Sequence, residues 1–356
     1  MKYTHSIALL VLLIIVGHSM PAQAWSNPGH MAVAGLAYNE LTAAEKKKLV
    51  AILRKHPDLS LLQSGFPSGV IGDEELVMSM ATWPDMAKQN YTYTQTHNPA
   101  DQYASNGYEE HDPPISKITF DHMMHKGWHF VDYPYWMSLE PNPGLPPTPD
   151  VNAVGVADVL IVQLMSSEST RKKAYDLGWL MHLVGDLHQP LHAISGCTPE
   201  LPGGDTGGND IVLESNTNSA GYKPAYKELH AYWDDLAGSS AKGHNLAADF
   251  FTARAYMEAV QNDPITVPHA DDLDPYDWAV ESFYEAVNDA YAWDYVQKMT
   301  FHQVQKTIDG QPQMVMQGFI NLDDAYYVTA AADARVRIRL AGHRLALQLK
   351  KILAKH

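Results

Sequence analysis

Two histidine–aspartate pairs in this chain repeat one device. His182 and Asp186 are four residues apart, and so are His230 and Asp234. On a helix that spacing puts both side chains on one face. Imidazole nitrogen and carboxylate oxygen are ligands that suit zinc, and a carboxylate has two oxygens with which to bridge two ions. The first pair lies in Trp179–His192, WLMHLVGDLHQPLH, where Leu180, Leu183, Val184 and Leu187 supply apolar surface. Pro190 stops the helix and turns the chain, so His192 is aimed at a different spot from Asp186. Alone, such a stretch is as well explained by satisfied core histidines on a helix. A second pair of the same spacing, with Asp85 in TWPD and His129 in WHFVD, points instead to a site for several metal ions.

Helices are what the pattern offers to hold these groups. His30 begins a helical run through Met31, Val33, Leu36 and Ala37, and Thr42 with Glu45 forms a capping box ahead of Leu49, Val50, Ile52 and Leu53. Residues 74–88 read as a helix that delivers Asp85, and residues 120–131 bring His129. Residues 154–165, 169–189, 225–236, 247–260, 276–291 and 325–355 are further helical segments; the fourth from the end of that series carries His230 and Asp234. Residues 91–116 read as a long surface loop, and residues 133–149, rich in Pro and Tyr, as irregular. The turn cluster Gly203–Asn209 precedes Ile211–Glu214, expected to be a short strand in a hairpin. There is no internal repeat. The ligand candidates are spread over some two hundred residues, which favours one mainly helical domain, residues 25–356, folded around a central site.

The first residues read as a secretory signal peptide: Lys2, an apolar run from Ile7 to Val16, and the small-x-small site Ala22-Gln23-Ala24. The run is too short to span a bilayer, so the expectation is cleavage after Ala24, no stable membrane anchor, and a periplasmic or secreted protein. With one cysteine, Cys197, no intrachain disulfide can form, and stability must come from the core or from metals. The 25 Lys and Arg against 41 Asp and Glu argue against non-specific duplex binding through a basic surface. They leave room for a nucleic-acid substrate if metal ions supply the positive charge locally. The 18 histidines are many for this length, and ligation is one use for them.

Taken together, the motifs resemble the zinc-dependent single-strand-specific nucleases and 3′-nucleotidases, whose fold is shared by bacterial zinc phospholipases C. Trp25 with His30, Trp83 with Asp85, His129 to Asp132, His182 to His192, Gly207 to Ile211, and His230 to Asp234 carry the resemblance, which covers nearly the whole chain after Ala24. It implies an all-α, phospholipase C/nuclease-like fold with a small β-hairpin around a trinuclear zinc site. By this likeness Asp85, His129, His182 and Asp186 hold the first ion, and His192, His230 and Asp234 the second. Asp186 bridges to a third, bound by His30 and by the free amine and carbonyl oxygen of Trp25. The implied chemistry is attack on phosphorus by a zinc-bridged water acidified to hydroxide, with Asp85 orienting it. The family's Arg three residues after that Asp is Lys88 here, which keeps the charge and loses the bidentate fork. Phe130 resembles the base-stacking residue and Asp132 the carboxylate that bonds a base edge. Stacking on one ring needs an unpaired base, which accounts for a preference for single strands.

The expected reaction is hydrolysis of single-stranded RNA or DNA, and of 3′-nucleotides, leaving 5′-phosphates in the polymer case; a monomer is the favoured state. A phospholipase C using the same metals on a lipid head group is the alternative, and a non-catalytic zinc-binding interaction protein is the alternative of another class. His122 and His125 are expected to be solvated or capping, His188 to face away from the ligands, Tyr133, Tyr135 and Trp136 to cover the core, and Cys197 to be an inert thiol. No P-loop, G-x-S-x-G or dinucleotide fingerprint occurs.

Overall fold

Helix α1 (Asn27–Asn39) is buried along one continuous run from Pro28 to Ala37, so it is a central helix and not an amphipathic surface one. Pro28 sits in its first turn, where the missing N–H leaves nothing unsatisfied. Helices α4 (Asp73–Met80), α9 (Leu246–Val260) and the thirty-residue α12 (Asp324–Leu353) pack around it. A Cβ at Gly342 of α12 would lie 2.6 Å from Leu36 Cβ, so glycine is what lets α1 and α12 approach this closely. A computed structural model provides this architecture for residues 25–89, 125–166, 169–214, 228–243, 245–308 and 311–355. The signal-peptide stretch, the 91–116 loop and His122 fall outside the described residues.

The remaining helices follow their local signals. Thr42 and Glu45 close the capping box of α2 (Ala43–Leu53), Glu45 Oε2 accepting the Thr42 N–H at 2.7 Å. A short α3 (Leu59–Ser64) occupies part of the stretch between Pro57 and Pro67. The single helix expected over 74–88 is two, α4 and α5 (Trp83–Gln89). Pro84 is the reason: its ring would collide with the carbonyl of Met80, four residues back, so α4 ends there. A 3₁₀ turn, Lys126–His129, carries His129. Helix α6 (Ala153–Leu164) is capped by Asn152, and α7 (Thr170–Asp186) by Ser169. Pro190–His192 form a 3₁₀ turn, Leu229–Asp234 form α8, and Pro275–Glu285 form α10, which passes into a π turn at Ala286–Ala290. The four-residue α11 (Trp293–Val296) follows.

The sheets depart most from the sequence reading. Strand β1 (Tyr133–Trp136), inside the stretch expected to be irregular, pairs in parallel with β2 (Ile194–Cys197), Tyr133 opposite Ile194 and Trp136 opposite Cys197. The strand expected after the glycine turn is present as β3 (Ile211–Leu213), yet it is not part of a hairpin. It runs parallel to β5 (Gln311–Ile320), a partner about a hundred residues away. The hairpin is β4 (Thr300–Ile308) with β5, antiparallel, Thr300 opposite Phe319 and Ile308 opposite Gln311. Most of β4 is exposed or half-buried, so it shows no strong two-residue apolar period. The dipeptide Asp309-Gly310 between the strands was the available signal.

Two apolar clusters result. One gathers α1, α2, α4, α6, α7, α9 and α12 around Trp83, Trp179 and Trp278; the other lies under the sheets around Leu191, Ile194, Ile211, Trp233 and Tyr291. Leu187 belongs to the first and Leu191 to the second, so the chain crosses between clusters within the very stretch that carries Asp186 and His192. No helix among the described residues is long and apolar enough to cross a membrane.

Candidate metal centre

Helix α7 supplies the middle of the site. His182 and Asp186 are both fully buried on its one face, His182 Nε2 3.2 Å from Asp186 Oδ2. The 3₁₀ turn at Lys126–His129 brings His129 Nδ1 to 2.9 Å from His182 Nε2 and 3.3 Å from Asp186 Oδ2. Asp85, in the first turn of α5, puts Oδ1 3.7 Å from His129 Nδ1 and 3.8 Å from His182 Nε2. From α1, His30 Nε2 approaches the other oxygen of the same aspartate, Asp186 Oδ1, at 3.3 Å, and its ring stacks on His182 with centroids 3.9 Å apart. Asp186 therefore divides its two oxygens between two sets of nitrogens, the arrangement a bridging carboxylate needs.

A second group forms where α8 meets the Pro190–His192 turn. His192 Nε2 and His230 Nε2 are 3.1 Å apart, and Asp234 Oδ2 lies 3.5 Å from His230 Nε2. The start of the described chain docks here as well. Ser26 donates its N–H to the Asp234 carbonyl at 2.9 Å and its hydroxyl to the Gly238 carbonyl, and Trp25 is fully buried. His30–Asp85–His182, His129–His182–Asp186 and His192–His230–Asp234 are each close enough for one ion.

The protonation states follow from the outer nitrogens. His182 Nδ1 faces the Ala81 carbonyl at 2.7 Å, His192 Nδ1 the His129 carbonyl at 2.6 Å, and His230 Nδ1 the Gly207 carbonyl at 2.7 Å. A carbonyl only accepts, so each Nδ1 carries its proton and Nε2 is the nitrogen each ring turns inward. Two such nitrogens face each other at His192 and His230, placed to share a cation. The Ala81 carbonyl is free for this because the Pro84 break makes it a helix end, where carbonyls need outside partners. Burial works against charge on His182, yet Asp186 and Asp85 outweigh it and raise its pKa. The cavity favours positive charge, as three nearly inaccessible carboxylates in one place require. Donor set and orientation fit zinc, with imidazole outer nitrogens tied to carbonyls as metal-bound histidines usually are.

The other candidates sort clearly. Phe130 is half-buried and follows directly on His129. Asp132 has φ of 55°, and burial, then Asp205, pushes its carboxyl up to about 8. Lys88 lies in α5, three residues past Asp85; its side chain is outside the described residues. His125 stacks on Trp128, centroids 3.6 Å apart, and is structural. His188 faces away: its Nδ1 donates to the Val184 carbonyl at 2.7 Å, its Nε2 accepts from Arg344 at 3.0 Å, and burial with Arg337 and Arg344 holds it neutral. Arg344 is itself clamped on Glu281 at 2.6 and 2.7 Å. Tyr133 and Tyr135 pack edge-on against Phe283 as cover. Burial pushes the Cys197 thiol up to about 11, leaving it inert.

One residue was passed over. Gln189 donates Nε2–H to Asp234 Oδ1 at 2.7 Å and accepts the Leu191 N–H at 2.6 Å, so it fixes a ligand and caps the turn that carries His192. Its place directly before Pro190, between two ligands, was the signal. The structure also gathers Glu285, Asp289 and Asp333, half-buried at the π turn, a grouping the spacing does not announce.

The S1/P1 nuclease family model matches residues 25–354, nearly all of the chain, and the protein belongs to that family. No curated protein matches it. Family and geometry together make it a nuclease with buried His/Asp groups able to bind metal.

Proposed function

We propose, with membership of the S1/P1 nuclease family as the premise, that this chain is an exported trinuclear zinc phosphodiesterase. It hydrolyses single-stranded RNA and DNA to products bearing 5′-phosphates and removes phosphate from 3′-nucleotides. The observation that carries the reading is that His182, His192 and His230 each tie Nδ1 to a carbonyl and turn Nε2 to neighbouring His and Asp ligand candidates, with the two oxygens of Asp186 divided between His30 and His182. Asp85, His129, His182 and Asp186 would hold one ion, His192, His230 and Asp234 a second, and Asp186, His30 and the Trp25 terminus a third. Bound zinc would supply Lewis acidity toward a phosphoryl oxygen and lower the pKa of water.

The chain's own groups do the rest. Asp85 accepts a hydrogen bond from the attacking water and orients it, and Lys88 offers charge to the phosphate. Phe130 stacks a base and Asp132 reads its edge, so an unpaired strand is preferred. The Trp25 nitrogen can ligate only as a free amine, which ties the full site to cleavage after Ala24.

The test is one panel: single-stranded RNA, a 3′-nucleotide and phosphatidylcholine, each with metal-loaded, chelated and zinc-restored protein. Hydrolysis of the first two that chelation abolishes and zinc restores is the expected result. Chelation should also lower the melting temperature by on the order of 10 °C, since the ions join distant segments. Hydrolysis of phosphatidylcholine alone, or full activity after complete zinc removal, would overturn the reading.

A further inference from the structure

Beyond the ligands, one fully buried carboxylate ties the metal centre to the sheet. Asp205 has no exposed surface. Its Oδ1 accepts the Gly196 N–H of β2 at 2.8 Å, its Oδ2 accepts the Tyr291 hydroxyl at 2.6 Å, and the Gly208 N–H bonds it as well. Its backbone carbonyl accepts the Asp210 N–H at 3.1 Å, closing the turn on itself. Within that turn Gly207 and Gly208 have φ of 63° and 85°, and the Gly207 carbonyl is the acceptor for His230 Nδ1. Two residues thus separate the Asp205 carboxylate from the atom that sets the direction of His230 Nε2.

We propose that Asp205 is a positioning residue for the second ion: by fixing the Gly207–Gly208 turn against β2 and Tyr291 it aims the His230 lone pair at His192 and Asp234. The inference rests on the metal-site reading above. A buried carboxylate is costly unless its oxygens are fully used. Here three donors from three segments use both, an arrangement only an acceptor-only side chain allows. In Asp205→Asn the amide oxygen can keep the Gly196 N–H only by facing its NH2 to the Tyr291 hydroxyl, which must then turn its own proton away and accept. The turn exchanges charge-assisted bonds for weaker neutral ones while side-chain volume is kept.

The experiment is stepwise zinc removal by a graded chelator series on the processed protein, with zinc content read at each step and thermal unfolding of the fully chelated protein alongside. Asp205→Asn, Tyr291→Phe and His230→Ala are compared with the parent. The expected result for D205N is one ion lost at about 10- to 100-fold weaker chelation with the other ions unchanged, the range for groups that orient a ligand. Y291F loses the same ion by a smaller factor and serves if D205N does not fold. H230A loses that ion outright. An unchanged D205N, or one that weakens all ions in proportion to a fall in metal-free stability, overturns the proposal while H230A still upholds the site. If H230A also keeps every ion, the metal-site reading fails and the proposal falls with it.

Discussion

Gly185 stands between the two ligands of α7, facing α1, and its replacement by alanine tests the site more sharply than removal of a ligand. A Cβ built there lies 2.6 Å from His30 Nδ1 and 3.0 Å from Cε1. Carbon and nitrogen atoms settle at about 3.5 Å or more, so the ring would have to retreat by roughly 1 Å. It has nowhere to go without leaving its pose, since it stacks on His182 and faces Asp186 Oδ1 at 3.3 Å. Metal ligands tolerate only about 0.2 Å. Overpacking of this kind costs about 1–3 kcal/mol, felt when His30 is forced into its ligating position. At 1.4 kcal/mol per decade this is a loss of about 5- to 150-fold in affinity for the ion His30 serves. In the metal-free protein the ring can shift, and alanine regains about 1 kcal/mol of helix propensity. The expected signature is therefore weakened metal binding with metal-free stability nearly unchanged. The assay is zinc titration against a competing chelator, paired with urea unfolding in excess chelator. Gly178→Ala on the same helix is the control: its Cβ would meet Trp83 Cε3 at 3.3 Å and Met80 Sδ at 3.4 Å, away from His30. Wild-type zinc affinity in G185A, or an equal loss in G178A, would refute the reasoning.

Three further outcomes follow from the same geometry. Phe130→Ala should raise KM for nucleotides more than for a simple aryl phosphate diester; equal effects would count against base stacking. Gln189→Ala removes the amide held on Asp234 and the acceptor for Leu191 N–H, so turnover at limiting zinc should drop about 10- to 100-fold and recover in part at high zinc; no dependence on zinc would place Gln189 outside the site. Burial, then Arg171, holds His56 down to about 3. Unfolded, that imidazole titrates near 6.5 and takes a proton the folded chain refuses. Its contribution is thus complete above about pH 6.5 and is lost as pH falls toward 3, at up to about 1.4 kcal/mol per pH unit. Urea unfolding of chelated protein between pH 6.5 and 4 should show a shallower pH slope for His56→Phe than for the parent, and equal slopes would remove His56 from the account.

The helices were legible because their signals are local. The capping box at Thr42 and the stripe ending in His182 and Asp186 need only a few neighbouring residues to be read. The break at Pro84 was equally local and was missed by giving the apolar period of residues 74–88 more weight than the proline within it. The pairing of β3 with β5 was beyond reach for a different reason: three residues carry no partner information, and β5 is exposed at its start and buried at its end, with no clear two-residue period. At the site, the ligand types and the i, i+4 pairs pointed to metal chemistry, while the family likeness was what grouped the donors. The layer behind them was less legible, with only the place of Gln189 before Pro190 as a signal. Gln189 on Asp234, Asp205 on the glycine turn and Arg344 on His188 are contacts between segments 45 to 156 residues apart or set by a single turn.

Three histidines of this centre, His182, His192 and His230, take their orientation from main-chain carbonyls, of Ala81, His129 and Gly207, each on a different segment. A carbonyl is the same atom whatever side chain stands above it. Point substitutions at the supporting positions can therefore be absorbed wherever the backbone keeps its path. Adding or deleting one residue in the α4–α5 break, the 126–129 turn or the 203–209 turn slides the carbonyl out of register, and no compensating side chain can restore it. Relatives of this chain should keep these three segments at one length and vary in composition only away from His129, Asp205, Gly207 and Gly208.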